Sequence, residues 1–185
     1  MNTQEIRLRV WDLPTRLFHW SLVASFAIAF ITSESEKLRD IHVVAGYTLA
    51  GLIAFRLLWG FVGGSYSRFA EFLPNWQKLI DYLESLMNGK PQHYVGHNPA
   101  GAIAIFLLLG FGIASAASGW AVYEDMGGHF MEELHEGASN GMMAIVVIHI
   151  TGVIVSSRLH GENLILAMIT GWKKMRSSPH ENTAG

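Results

Sequence analysis

Four long apolar runs, separated by polar stretches, dominate this chain. They cover residues 17–33, 41–64, 100–122 and 137–157. Each lies near the ~20 residues that an α-helix needs to cross a bilayer core. The third run is free of charge, the second carries only Arg56, and the fourth has His149 as its single ionisable residue. Buried helices of a soluble bundle suit the first two runs better than the last two. No 20–50-residue repeat is present. The pattern predicts an all-α integral membrane four-helix bundle, one domain over residues 1–175, followed by a polar, disordered tail at 176–185.

The polar stretches add detail. Residues 34–40 and 123–136 read as loops at one membrane face. Between the second and third runs, Trp76, Leu79, Ile80, Leu83, Leu86 and Met87 recur at helical spacing, and Gly89 can end that helix. This predicts a helix over about 75–88, lying on the inner leaflet or docked on the base of the bundle. Residues 163–172 read as a short amphipathic piece. Residues 1–12 carry Glu5, Arg7, Arg9 and Asp12 and lack an apolar core, which argues against a cleaved signal peptide.

Composition agrees with a membrane protein. Half of the 185 residues are hydrophobic and 15% are charged, against about 25% in soluble domains. The net charge of −2 gives no reason to expect nucleic acid as a partner. With no cysteine, disulfides, thiolate zinc sites, iron–sulfur clusters and covalently attached haem are excluded. Charge also sets orientation. If the N-terminus is inside, eleven of the thirteen Lys and Arg residues lie inside and only Lys37 and Arg39 outside. The positive-inside rule then places both termini in the cytoplasm of a multi-pass inner-membrane protein.

Nine histidines remain as soft-metal ligands, and four of them lie in or at the mouths of the runs: His19, His42, His135 and His149. Ionisable side chains there are costly and functional by default. His135 and His149 are 14 residues apart, which on a helix is ~21 Å of rise with a return to nearly the same face. With alternating helix directions, His42 and His135 share the outer level, and His19 and His149 the inner level. Two matched pairs suit two b haems, each held by one imidazole on either side of the iron. Structural zinc would want four ligands in one place, and a transmembrane proton relay would want carboxylates inside the spans.

Other residues support this reading. Gly46 follows His42 by four residues, Gly137 and Gly141 follow His135 on the same helix, and Gly152 follows His149 by three; they could make room for a flat ring, and ordinary helix packing is the alternative. Arg56 follows His42 by 14 residues and could meet a haem propionate at the inner level, as could Arg16, one turn before His19. Snorkelling to headgroups is the competing role for both. Arg158, His160, Glu162 and Asn163 cluster where the fourth run leaves the membrane and could hold a quinone head group; a plain helix-end turn at Gly161 is the alternative. His93, His97, His129 and His180 read as solvated loop or tail residues.

These pieces resemble the bacterial cytochrome b561 and nickel-hydrogenase cytochrome b family. The resemblance rests on Thr15-Arg16-Leu17-Phe18-His19-Trp20, Ile41-His42-Val43-Val44-Ala45-Gly46, Phe55-Arg56-Leu57-Leu58-Trp59-Gly60, Gly96-His97-Asn98-Pro99, Leu134-His135-Glu136 and His149, in that order over residues 7–173. It implies a four-helix bundle with two b haems that passes electrons between quinones and a partner. Carried over, His19 and His149 ligate the inner haem, and His42 and His135 the outer one.

Three branches of function follow from the resemblance. Hydrogenase-type anchors usually have a further helix, which counts against that branch here. Superoxide oxidases reduce quinone from the outer face. Small cytochromes b exchange electrons with periplasmic c-type cytochromes. The outer loops carry eight acidic residues against two basic ones; such a face repels superoxide and attracts a cationic protein. The expectation is therefore electron transfer between the quinone pool and a c-type cytochrome, with quinone oxidoreductase activity left open.

Overall fold

The computed structural model describes residues 5–89 and 92–176. Four helices are long and apolar enough to cross a membrane: α1 (Leu13–Thr32), α2 (Arg39–Val62), α4 (Pro99–Tyr123) and α5 (Gly128–His160). The short α3 (Trp76–Met87) and α6 (Leu164–Thr170) lie at the end of the bundle that holds the chain termini. Strands β1 (Glu5–Arg9) and β2 (Trp172–Arg176) pair antiparallel there, with Glu5 opposite Arg176 and Arg9 opposite Trp172. We call this the terminal end and the opposite one the loop end.

α1 begins four residues before the apolar run. Asp12 caps it by accepting from the Thr15 amide at 2.8 Å, and Pro14 fits the first turn, where no amide donor is needed. The same carboxylate accepts from Ser67 Oγ at 3.1 Å and Trp59 Nε1 at 3.3 Å, tying α1 to the end of α2. Burial alone would raise the Asp12 pKa, but the bonds from Thr15, Ser67 and Trp59 outweigh it and hold the pKa below 3.8. The stabilisation is therefore present above the unfolded value and lost as pH falls through the lower folded one. Asp12→Ala should cost about 1–2 kcal/mol, read as a lower Tm at neutral pH.

α5 corrects a second boundary. Residues 123–136 were expected as a loop, but α5 already starts at Gly128. Asp125, Gly127 and Gly128 all take positive φ and close a tight turn, and the Met126 amide bonds back to Ala121 at 2.8 Å. Met131, Glu132, Glu133 and Leu134 then favour helix. At 33 residues α5 is about 50 Å long, against a core of about 30 Å. It is therefore about 20 Å longer than a bilayer core requires.

The terminal end differs from a purely helical expectation. Gly171, with φ of +86°, stops α6, and Trp172 opens β2 instead of closing an amphipathic helix. Arg176, expected in the tail, is the last strand residue; 177–185 lie outside the described residues. In α3, Tyr82 is buried against the bundle, while Trp76, Ile80, Leu83 and Met87 form an exposed apolar stripe. That helix touches its own bundle on one side and offers a membrane-type surface on another.

Helix pairing positions the site. α1 packs on α2, α2 on α4, and α4 on α5, whereas α5 packs closely on neither α1 nor α2. Leu49, Ile53, Leu109 and Met142 fill the central core. Much of the outward surface is large and apolar, as lipid requires.

Candidate functional site

α5 carries one partner of each imidazole pair. His135, Met142, His149 and Ser156 recur every seven residues, two helical turns, and so share a face. At the loop end, His135 meets His42 of α2, with ring centroids 6.0 Å apart and planes at 89°. His42 Nδ1 donates to the Ala29 carbonyl at 2.8 Å, and His135 Nδ1 donates to the Ser115 carbonyl at 2.8 Å. A carbonyl only accepts, so each Nδ1 carries the hydrogen and each Nε2 keeps its lone pair. That is the tautomer of a metal-binding histidine with its second nitrogen held. Bonds of about 2 Å from a metal to an imidazole nitrogen on either side place two ring centroids about 6 Å apart.

At the terminal end, His19 of α1 and His149 of α5 lie within electrostatic reach of one another. The His19 ring meets Trp20 edge-on at 5.1 Å, and its buried Nδ1 has no hydrogen-bond partner. Arg56 of α2 is only 5% exposed. Its guanidinium lies 4.5 Å from the Phe69 ring centre and 5.9 Å from that of Phe72, and its buried Nη1 is also unpartnered. Among the described residues Arg56 forms no ion pair. A buried cation without an anion is costly, so this position suits a ligand carboxylate. Arg16 is partly committed: it donates through Nη2 to the Ile169 carbonyl of α6, and its buried Nε is left free.

His97 is the residue that sequence reasoning misplaced. Expected in a solvated loop, it is wedged between Trp11 at 4.7 Å and Phe72 at 4.3 Å. Burial first, then the Arg56 charge and His149, lower its pKa to about 3, so it is neutral at physiological pH. The available signal was Asn98-Pro99, a helix start that fixes His97 one residue before the cap of α4. Asn98 does cap α4, accepting from the Gly101 amide at 2.7 Å.

The glycines divide. A Cβ on Gly46, Gly137 or Gly152 would meet nothing within 4 Å. Gly141 differs: its Cβ would stand 2.5 Å from Phe111, so it serves helix packing. Gly119 of α4 was not foreseen. A Cβ there would stand 2.7 Å from His135 Cε1, so Gly119 lets that imidazole pass.

The four residues expected around a quinone come together only in part. His160 and Glu162 line one small cavity with His93 and Lys173. Arg158 is exposed, and Asn163 caps α6 through the Leu166 amide at 2.8 Å. Among the described residues no group of three or more His, Asp or Glu side chains could hold a metal ion.

A membrane four-helix bundle with opposed imidazoles and no thiolate is the frame of a b-type cytochrome. The chain belongs to the prokaryotic cytochrome b561 family, whose pattern matches residues 10–171. It is similar to the probable Ni/Fe-hydrogenase B-type cytochrome subunit of Bradyrhizobium diazoefficiens, at 25% identity over 90% of this chain and 86% of that one. The counterpart from Azotobacter vinelandii is 23% identical, over 90% and 88%. The probable Ni/Fe-hydrogenase 1 B-type cytochrome subunit of Escherichia coli K12 is 24% identical, over 89% of each. No solved structure matches the chain. The protein is a multi-pass bacterial inner-membrane cytochrome that binds haem b and transfers electrons.

One consequence concerns Gly119. Gly119→Leu should displace His135 and lower the haem content per chain, read by the pyridine haemochrome assay. Gly51→Ala, where a Cβ meets nothing within 4 Å, should leave it unchanged.

Proposed function

We propose that the protein carries two b haems and passes electrons between the quinone pool and a periplasmic redox protein, a c-type cytochrome. The observation that carries this reading is the pair of imidazole levels on α5, with His42 and His135 already held in the ligand tautomer. His42 and His135 hold the outer haem, and His19 and His149 the inner one. Each haem supplies one-electron chemistry when bound. The chain would hold each haem iron through these imidazole nitrogens, keep water away with Phe69, Phe72 and Trp11, and set the potential through the Arg56 charge. Arg56 pairs with a propionate of the inner haem, and Arg16 offers its Nε as a second donor. Both termini face the cytoplasm, so quinone exchanges its protons at the terminal end, where His160 and Glu162 lie.

The partner meets the loop end. Glu124, Asp125, Glu132, Glu133 and Glu136 are exposed on the turn before α5 and on its first turns, as are the apolar Met126, Phe130 and Leu134. An acidic end with apolar side chains on it suits a basic redox protein. In proteoliposomes, quinol should reduce the haems, and a cationic c-type cytochrome should then reoxidise them. Between ~10 mM and ~200 mM salt the second step should slow about tenfold. Glu132→Gln with Glu133→Gln should slow it severalfold at low salt. A salt-independent rate would contradict this assignment.

A second reading has its own support. The relatives named above are B-type cytochrome subunits of hydrogenases, and the chain matches 86–89% of their length. In that reading the protein is the haem-bearing membrane anchor of a larger oxidoreductase. It would then purify with that partner and, alone, would exchange no electrons with quinone.

A further inference from the structure

We infer that the polar cluster where α5 leaves the membrane is a proton port for the quinone reaction, with Glu162 and His93 at its mouth and His160, Ser156 and Tyr82 leading inward. The inference rests on the quinone reading above. It also changes the cluster's role, because these groups move protons and do not seat the quinone ring.

Gly161, with φ of +63°, ends α5 and turns the chain so that Glu162 folds back. Glu162 Oε1 lies 2.7 Å from His93 Nε2, and Oε2 lies 2.9 Å from Lys173 Nζ on β2. Lys173 donates also to the Tyr94 carbonyl at 2.7 Å and to the Val95 carbonyl at 3.3 Å. The Lys173 and Glu162 side chains are 6% and 9% exposed, whereas that of His93 is 37% exposed and opens to water. Glu162 thus faces His93 from the loop before α4, Lys173 from β2 and His160 from α5, with Tyr94 beside Lys173. The cavity among them holds about 30 Å³, room for about one water molecule. A quinone ring does not fit there, and a proton-carrying water does.

His160 is the next group inward, with its ring 5.3 Å from that of His93. Its Nδ1 lies 3.0 Å from the Ser156 carbonyl and 3.4 Å from Ser156 Oγ, and its Nε2 lies 3.2 Å from the Gln92 carbonyl. Carbonyls only accept, so a neutral imidazole satisfies one of them and the doubly protonated form satisfies both. Both ring nitrogens thus face proton acceptors. The Tyr82 hydroxyl of α3, which accepts from Asn98 Nδ2 at 3.2 Å, lies near Ser156. Tyr82 is 3% exposed, and its burial raises the phenol pKa, so it relays as a hydroxyl. Ser156 lies seven residues beyond His149, two turns or about 10 Å along the same face of α5. The file therefore approaches the inner imidazole pair from the water side.

Oxidation of one quinol releases two electrons, which pass singly to the haems, and two protons, which leave through this file. Quinone reduction runs the same groups in reverse. A group that only staples β2 to α5 would leave the proton-transfer rate untouched once the protein has folded.

The test uses the full-length holoprotein in proteoliposomes, with haem reduction followed by stopped flow using decylubiquinol or dithionite. Glu162→Gln, Ser156→Ala and Tyr82→Phe should each slow quinol-driven reduction about tenfold or more at saturating quinol. Haem content, the dithionite-reduced spectrum and the half-saturating quinol concentration should stay as in wild type. Added imidazole should restore part of the rate in Glu162→Gln. Wild-type rates in all three variants would overturn the port, as would a raised half-saturating quinol concentration with no rescue, which would make the cluster the quinone seat. If the wild type itself fails to react with quinol, the quinone reading falls and the port falls with it.

Discussion

His42→Ala and His149→Ala should each remove one haem, and the two variants should lose different haems. Each substitution leaves the other imidazole pair intact, and the pairs lie about 14 residues, or ~21 Å, apart along α5. His42 sits with His135 at the loop end and His149 near His19 at the terminal end. Each variant should therefore retain about half of the wild-type haem per chain by pyridine haemochrome assay, with the lost absorbance at a different potential in each. His135→Ala should reproduce His42→Ala, and His19→Ala should reproduce His149→Ala. Loss of the same haem in His42→Ala and His149→Ala would break the pairing.

Arg56→Leu should weaken retention of the haem at the His19–His149 level and lower its midpoint potential. The guanidinium is buried over Phe69, has an unpartnered Nη1, and meets no carboxylate among the described residues within ion-pair distance. The cation favours the electron-rich reduced state, so its removal favours the oxidised one. A unit charge about 10 Å away contributes on the order of 1–2 kcal/mol at an effective dielectric constant of 20, which is roughly 40–90 mV for one electron. Potentiometric titration should show this shift in the haem lost by His149→Ala and little change in the other. Arg56→Lys should keep most of the potential but less of the haem, because an ammonium lacks the planar fork that grips a carboxylate. An unchanged potential in Arg56→Leu would leave Arg56 as a packing residue.

The imidazole pairs were legible in the sequence because they depend on periodicity and helix direction alone. Fourteen residues return a helix to nearly the same face, and alternating spans sort four histidines into two levels. Helix ends were less legible, because they depend on caps and turns as well as on hydropathy. α1 begins at the Asp12 cap, before its apolar run, and α5 begins at the turn of Asp125, Gly127 and Gly128, inside what reads as a polar loop. The strand pair was hidden for a different reason. Residues 5–9 and 172–176 are separated by the whole bundle in sequence, and although Glu5–Arg9 alternates polar and apolar side chains, Trp172–Arg176 does not. His97 and Lys173 look solvated from their neighbours, and only the approach of Trp11, Phe72 and Glu162 from distant segments buries them. Gly119 illustrates the same limit: its value lies in the His135 ring that crosses it from another helix.

The most direct test is a reduced-minus-oxidised spectrum of the purified wild-type protein, combined with a pyridine haemochrome count per chain. The account predicts b-type bands and two haems for each chain. One haem per chain would contradict it by dissolving one of the two imidazole levels.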